Sequence, residues 1–124
     1  MGYSISVDNI NKIIIYNHNG YVNLAEIGRA WDDILNIREF VEEDYNLLSD
    51  YRSAELDLSI KEFSLITVFF IKYKSILEKK KQSLIITDPL TTAKSILFEE
   101  EVKSKVKFQI KIFSTYESAL NWLI

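Results

Sequence analysis

Two periods run through the apolar positions of this chain, and they change over at short polar stretches. Tyr3 to Val7 alternates apolar with polar side chains, and Lys12 to Tyr16 is a β-branched run. Between them Asp8-Asn9-Ile10-Asn11 carries side chains that reverse a chain, so the opening predicts an antiparallel hairpin. His18-Asn19-Gly20 predicts a second turn, with His18 in solvent. Beyond it the period lengthens. Leu24, Ile27, Ala30, Trp31, Ile34 and Leu35 recur at helical spacing behind an Asn23-x-x-Glu26 capping box, which places a first helix up to about Asn36.

Arg38 to Asp44 is acidic without a period and predicts a loop; Tyr45 to Ser49 predicts the third strand. A polar turn follows that holds Asp50, Arg52, Glu55 and Asp57, and it ends in Ser59-Ile60-Lys61-Glu62, a second capping box that starts the most apolar helix of the chain. Phe63, Ile66, Thr67, Phe70, Tyr73 and Leu77 form its core stripe. Leu65, Phe69 and Ile76 fall roughly 100° or more from the middle of that stripe at 3.6 residues per turn, with Val68 further round. One packed surface cannot cover both stripes, so either the helix is sandwiched or a partner buries its far side.

Ser83 to Thr87 is an almost unbroken apolar run of the kind that makes a buried parallel strand. Asp88-Pro89 then opens a helix, with proline tolerated at its first position, Ala93, Ile96 and Leu97 turned inward and Glu99 to Glu101 outside. Lys107 to Phe113 predicts the fifth strand, with Phe108, Ile110 and Ile112 on the core side and Lys107, Gln109 and Lys111 on the other, where lysines also blunt an edge. A third capping box, Ser114 with Glu117, starts a closing helix whose apolar residues are Ala119, Leu120, Trp122 and Leu123. The order is ββαβαβαβα, and strands alternating with helices imply parallel, right-handed βαβ units.

Three stretches carry a family likeness: Gly20-Tyr21-Val22-Asn23-Leu24, then Asp50-Tyr51-Arg52-Ser53-Ala54-Glu55-Leu56-Asp57, and the ending from Ile112 to Leu123. In their order and spacing the chain resembles the SpoIIAA-like group of STAS-related domains, small bacterial proteins also compared with the lipid-binding CRAL-TRIO fold. The resemblance implies one domain over residues 1–124. It also implies a right-handed β-α superhelix: a mainly parallel five-stranded sheet with an antiparallel first strand and helices chiefly on one face. Anti-sigma-factor antagonists among these relatives use a phosphorylatable serine in an Asp-Ser-Ser-Gly-type motif near the start of the second helix. This chain lacks that motif, and Ser53 and Ser59 are its candidate phosphosites there.

Composition narrows the chemistry. At 124 residues, 48% hydrophobic and 27% charged, the chain is an ordered globular domain. Without cysteine it has no disulfide, thiolate nucleophile or cysteine metal site, which suits a reducing cytoplasm. A net charge of −3 argues against nucleic acid as partner. No signal peptide is visible, and the apolar run Phe63 to Ile71 is too short to span a bilayer. Met1-Gly2 with Ser6 matches a myristoylation pattern that reads better as coincidence or a cloning remnant. One histidine excludes multi-histidine metal ligation, and no nucleophile elbow or phosphate-binding glycine loop is present, so neither enzyme nor cofactor is expected.

The turn after strand three lies where open α/β sheets bind ligands, at the carboxyl ends of the strands. Asp50, Arg52 and Asp57 are therefore interaction candidates; Arg52 suits a carboxylate or phosphate held bidentately, or else a structural ion pair with Asp50, Asp57 or Asp88. Leu65 and Phe69 are candidates for a protein contact. The expectation is a non-catalytic interaction or regulatory module, docking a protein or a second copy through the second helix. A carrier of a small apolar ligand or lipid is the alternative, with the same residues lining a pocket. An enzyme using Asp50, Glu55, Asp57 or Asp88 is remote.

Overall fold

The computed structural model describes residues 2–124, so Met1 of the myristoylation pattern lies outside it. Its first element is the expected hairpin, β1 (Tyr3–Asp8) and β2 (Ile13–Val22). Asp8 closes the turn by accepting the amides of Ile10 and Asn11 at 3.0 and 3.1 Å, and Lys12 takes the left-handed conformation that brings the chain back.

β2 does not stop at Tyr16. It pairs in parallel with β3 (Asn46–Leu56), and the polar stretches predicted as turns, 18–20 and 50–56, are the far halves of these two strands. Asn19 lies opposite Ser53, Gly20 opposite Ala54 and Val22 opposite Leu56, after a register shift at Asn17 to Asn19. Two polar segments far apart in sequence satisfy each other's backbone groups here, a stabilisation that local composition does not report. His18 is consequently not in solvent. It is 2% exposed, on the helix-covered side of β2.

β4 (Lys81–Ile85) and β5 (Gln109–Phe113) complete a sheet of order β1-β2-β3-β4-β5, antiparallel only at β1. Each parallel strand is laid beside its predecessor on the same edge, so right-handed crossovers put the connecting helices on one face. These are α1 (Leu24–Ile34) with the short α2 (Arg38–Glu42), α3 (Ile60–Lys72) with α4 (Lys74–Leu77), and α5 (Pro89–Lys105). The last helix, α6 (Tyr116–Leu123), turns back onto the opposite face. Tyr16, Trp31, Phe40, Phe70 and Phe108 fill the main core; Ile13, Leu48, Ile85, Ala119 and Leu123 fill the smaller one under α6.

The caps explain where the helices begin. The Ser59–Glu62 box forms in both directions, with Ser59 Oγ accepting from Glu62 N at 3.1 Å and Glu62 accepting from Ser59 N at 3.0 Å. Only half of the Asn23 box forms: Asn23 accepts the Glu26 amide, but the Glu26 carboxylate pairs with Arg29 instead. Asp88 caps α5 and Thr115, not Ser114, caps α6.

Four expectations shift. The acidic loop contains α2, because Phe40 reaches the core and meets Trp31 edge to face at 6.1 Å; five residues are too few to show a period. The apolar helix breaks at Tyr73, so Leu77 belongs to α4. α5 is turned from its expected face: Ser95, Phe98 and Val102 are buried while Ala93, Ile96 and Leu97 are exposed. Its true stripe carries a serine, which hid it. Glu101 is not simply outside, since it accepts hydrogen bonds from Ser64 and Thr67 of α3 at 3.2 and 2.7 Å. β5 starts at Gln109 and not at Lys107, but the alternation expected over 107–113 is present, with Phe108 and Ile110 buried, Ile112 half-buried and Lys107, Gln109 and Lys111 exposed.

Candidate functional site

β3 pairs with β4 only from Leu47 to Asp50, then continues to Leu56 beside β2 alone. Past Asp50, the β4-facing side of β3 is therefore without a strand, and a cleft of about 500 Å³ opens there between the ends of β3 and β4 and the start of α5. Tyr21, Glu55, Asp57, Thr87, Asp88 and Lys94 supply its polar lining. This is the crevice at the carboxyl ends of parallel strands, where ligands of open α/β sheets are commonly held.

Most of its charged groups already have partners within the chain. Tyr21 donates its hydroxyl proton to Asp57, and that bond is the chief reason its phenol is pushed above the usual range. Asp88 accepts the Thr91 amide at 2.8 Å, and the same bond holds its carboxyl below the ordinary value. Lys94 donates to the Leu58 carbonyl at 3.1 Å. Glu55 is exposed. Among the described residues no three His, Asp or Glu side chains are placed to hold a metal ion.

Asp50 and Arg52 lie apart from the cleft. Arg52 grips both oxygens of Asp50, through Nε at 3.0 Å and Nη2 at 2.8 Å, and its guanidinium stands over the Tyr116 ring of α6, 5.8 Å from the centroid. Burial alone would push the Asp50 carboxyl up; the hydrogen bonds from Arg52 outweigh it and hold the carboxyl below its ordinary value. Of the three partners weighed for Arg52, the ion pair is thus made with Asp50, while Asp57 and Asp88 face the cleft. Ser53 is exposed on β3, and Ser59 Oγ is engaged as the α3 cap.

α3 separates the other two candidates. Phe69 is half-buried, its ring 6.2 Å from Trp31 and 4.8 Å from Tyr73, so a neighbouring helix of the same chain covers it. Leu65 is 48% exposed. It belongs to an outward band with Ile60, Val68 and Ile71. Leu97 of α5 faces Ile60 across the groove between the two helices. The expected inner face of α5 concealed Leu97's place in this band.

A small space of about 30 Å³ lies between the sheet and α1, α3 and α5. Gln82 and Ser95 are the polar members of an otherwise almost wholly apolar wall. A second polar cluster missed in the sequence surrounds His18. Its Nδ1 shares a hydrogen bond with the Tyr16 hydroxyl, its ring stacks on Tyr51 at 6.4 Å, and Nε2 is 3.6 Å from the Glu26 carboxylate. Burial pushes the His18 pKa down, partly opposed by Glu26. Reading residues 18–20 as a turn hid this cluster.

The sequential, mainly parallel sheet covered chiefly on one face defines a SpoIIAA-like fold. It is similar to the crystal structure of an uncharacterized protein of the DUF3478 family with a SpoIIAA-like fold from Shewanella loihica PV-4, with a TM-score of 0.59 over 98% of this chain and 92% of that one at 14% identity. The sequence matches no family model and no curated protein. No helix among the described residues is long and apolar enough to cross a membrane.

Proposed function

We propose that this chain is a non-catalytic protein-interaction module that docks through the outward face of α3 and α5, with a second copy of the chain as the occupant. The observation that carries this reading is the band of Ile60, Leu65, Val68, Ile71 and Leu97, large apolar side chains left in water on two adjoining helices. Contiguous exposed apolar surface commonly marks an interface, and a self-complementary patch about a two-fold axis is the commonest closed solution. The cleft supports the non-catalytic part, because Tyr21, Asp57, Asp88 and Lys94 are engaged in holding strand ends and helix starts.

The carrier reading has less support. A drug-sized ligand needs roughly 300 to 1,000 Å³ lined mainly by apolar groups. The space between the sheet and the helices is about 30 Å³, the scale of a water molecule or two. The cleft at the strand ends is substantially polar, and the grooves of about 620 and 680 Å³ beside β5 are more apolar but lie more open to the surface.

Sedimentation velocity over a wide concentration range, with a thermal melt beside it, tests the proposal. The wild type is expected to be a dimer, and Leu65→Glu with Val68→Glu to be a monomer with a nearly unchanged melting temperature. A wild type that stays monomeric throughout overturns the homodimer, and a double variant that unfolds places these side chains in the core.

A further inference from the structure

β5 is one of the two edge strands of the sheet, with β1 at the other, and its surroundings have an electrical character opposite to that of the chain as a whole. Gln109 donates its amide to the Lys80 carbonyl at 3.1 Å, and Ile86 donates to the Phe113 carbonyl at 3.0 Å, so the odd-numbered residues of β5 bond inward. The amides and carbonyls of Ile110 and Ile112 between them point away from the sheet, where no strand pairs with β5. A groove of about 620 Å³ runs along this edge, with α5 on one side and Trp122 of α6 on the other.

Lys79, Lys103, Lys107 and Lys111 line that groove, against one carboxylate, Glu99. The chain carries a net charge of −3, yet none of these lysines forms an ion pair among the described residues. Every ion pair between permanently charged side chains among the described residues is made by an arginine. Lysines on an edge strand also discourage indiscriminate pairing. That role needs charge on the strand alone; it does not account for a channel with basic residues on the flanking helix and loop, and with an exposed backbone row and an indole at its floor and wall.

We infer that the β5 edge is a second docking site, taking an extended acidic segment of a partner protein that adds a strand beside β5 and sets its carboxylates against these lysines. Main-chain bonds to Ile110 and Ile112 give the segment its hold, and side-chain pairing gives selectivity. Lys107, in the bend just before β5, and Lys111 on the strand are four residues apart and both line the groove, roughly 13 Å at the rise of a strand, so the matching segment carries acidic residues four apart on one face.

The probe is an end-capped, fluorescein-labelled peptide, Glu-Val-Thr-Val-Glu-Val-Thr, titrated with the full chain and followed by fluorescence anisotropy. Saturable binding that weakens with salt is expected, with about a tenfold loss in Lys107→Glu with Lys111→Glu and a smaller loss in the Gln pair. Both side chains are exposed, and an unchanged melting temperature confirms that these variants fold. The same peptide methylated on alternate backbone nitrogens is expected not to bind, and Leu65→Glu with Val68→Glu in α3 to bind as the wild type does. Absence of saturable binding, equal binding of the methylated peptide, indifference to the lysine variants, or displacement by a single-stranded oligodeoxynucleotide at lower concentration than by unlabelled peptide overturns the inference.

Discussion

The cleft at the strand ends and the outer face of α3 and α5 differ in what their side chains already do. In the cleft, Tyr21 holds Asp57, Asp88 caps α5 and Lys94 closes the Leu58 carbonyl. On the helix face, Leu65, Val68 and Leu97 meet nothing in the chain that would bury them. The rule that ligands gather at the carboxyl ends of strands points to the first region; the inventory of partners points to the second. Position in a fold says where a site is easily built, whereas unmatched side chains say where one is needed.

The largest expected effect separates the two sides of α3 itself. Phe70 is fully buried and touches Trp31 at 5.0 Å and Phe108 at 5.3 Å between ring centroids, so Phe70→Ala should cost about 3 to 5 kcal/mol through lost burial and an unfilled cavity. Val68, two residues earlier, is 61% exposed. Val68→Ala should change the stability of the isolated chain by no more than about 0.5 kcal/mol. Chemical denaturation of both variants at low protein concentration checks the contrast; comparable losses would mean that the outward band is packed.

An intermediate effect tests the cleft. If Asp88 serves α5 by capping it, Asp88→Ala should cost about 0.5 to 2 kcal/mol, and Asp88→Asn, which keeps the acceptor oxygen, should recover most of that. The melting temperatures of the pair measure it. An Asp88→Ala variant as stable as the wild type would free this carboxylate for another role and reopen the cleft as the working site.

Much of this contrast was legible before any coordinates. The element order, the antiparallel first strand and the far stripe of the apolar helix follow from periods and caps, which are local and repeat often enough to read; the one-sided helices follow from the family resemblance. What stayed hidden was set by pairing across long sequence separations. Residues 50–56 look like a turn, yet they are strand because Asn19 to Val22 lie beside them. That one non-local ladder buries His18 and lengthens β3 past the end of β4, and so opens the cleft. The face of α5 is hidden for a different reason: Ser95 is one of the three buried residues of the true stripe, while exposed Ile96 and Leu97 imitate one. Arg52 was recognisable as a residue with a strong partner, but the choice among Asp50, Asp57 and Asp88 needed the side of the sheet on which each lies.

The smallest expected effect concerns that choice. Arg52 is partly exposed, and pairs of this kind contribute about 0.2 to 1 kcal/mol, so Arg52→Ala should lower stability by that amount in low salt and by less in high salt. The pH dependence identifies the partner. The folded-state pKa of Asp50 lies below its unfolded value, so the pair's contribution is fully present above about pH 4, the unfolded carboxyl range, and is lost as the pH falls through the folded value. The difference in melting temperature between wild type and Arg52→Ala should therefore be constant near neutrality and close in acid. Asp50 keeps the Arg52 backbone amide as a donor in the variant, which limits the loss. A gap that is absent at neutral pH, joined to a change in sedimentation, would instead make Arg52 a contact for a partner and shift the interaction surface from α3 and α5 to the side covered by α6.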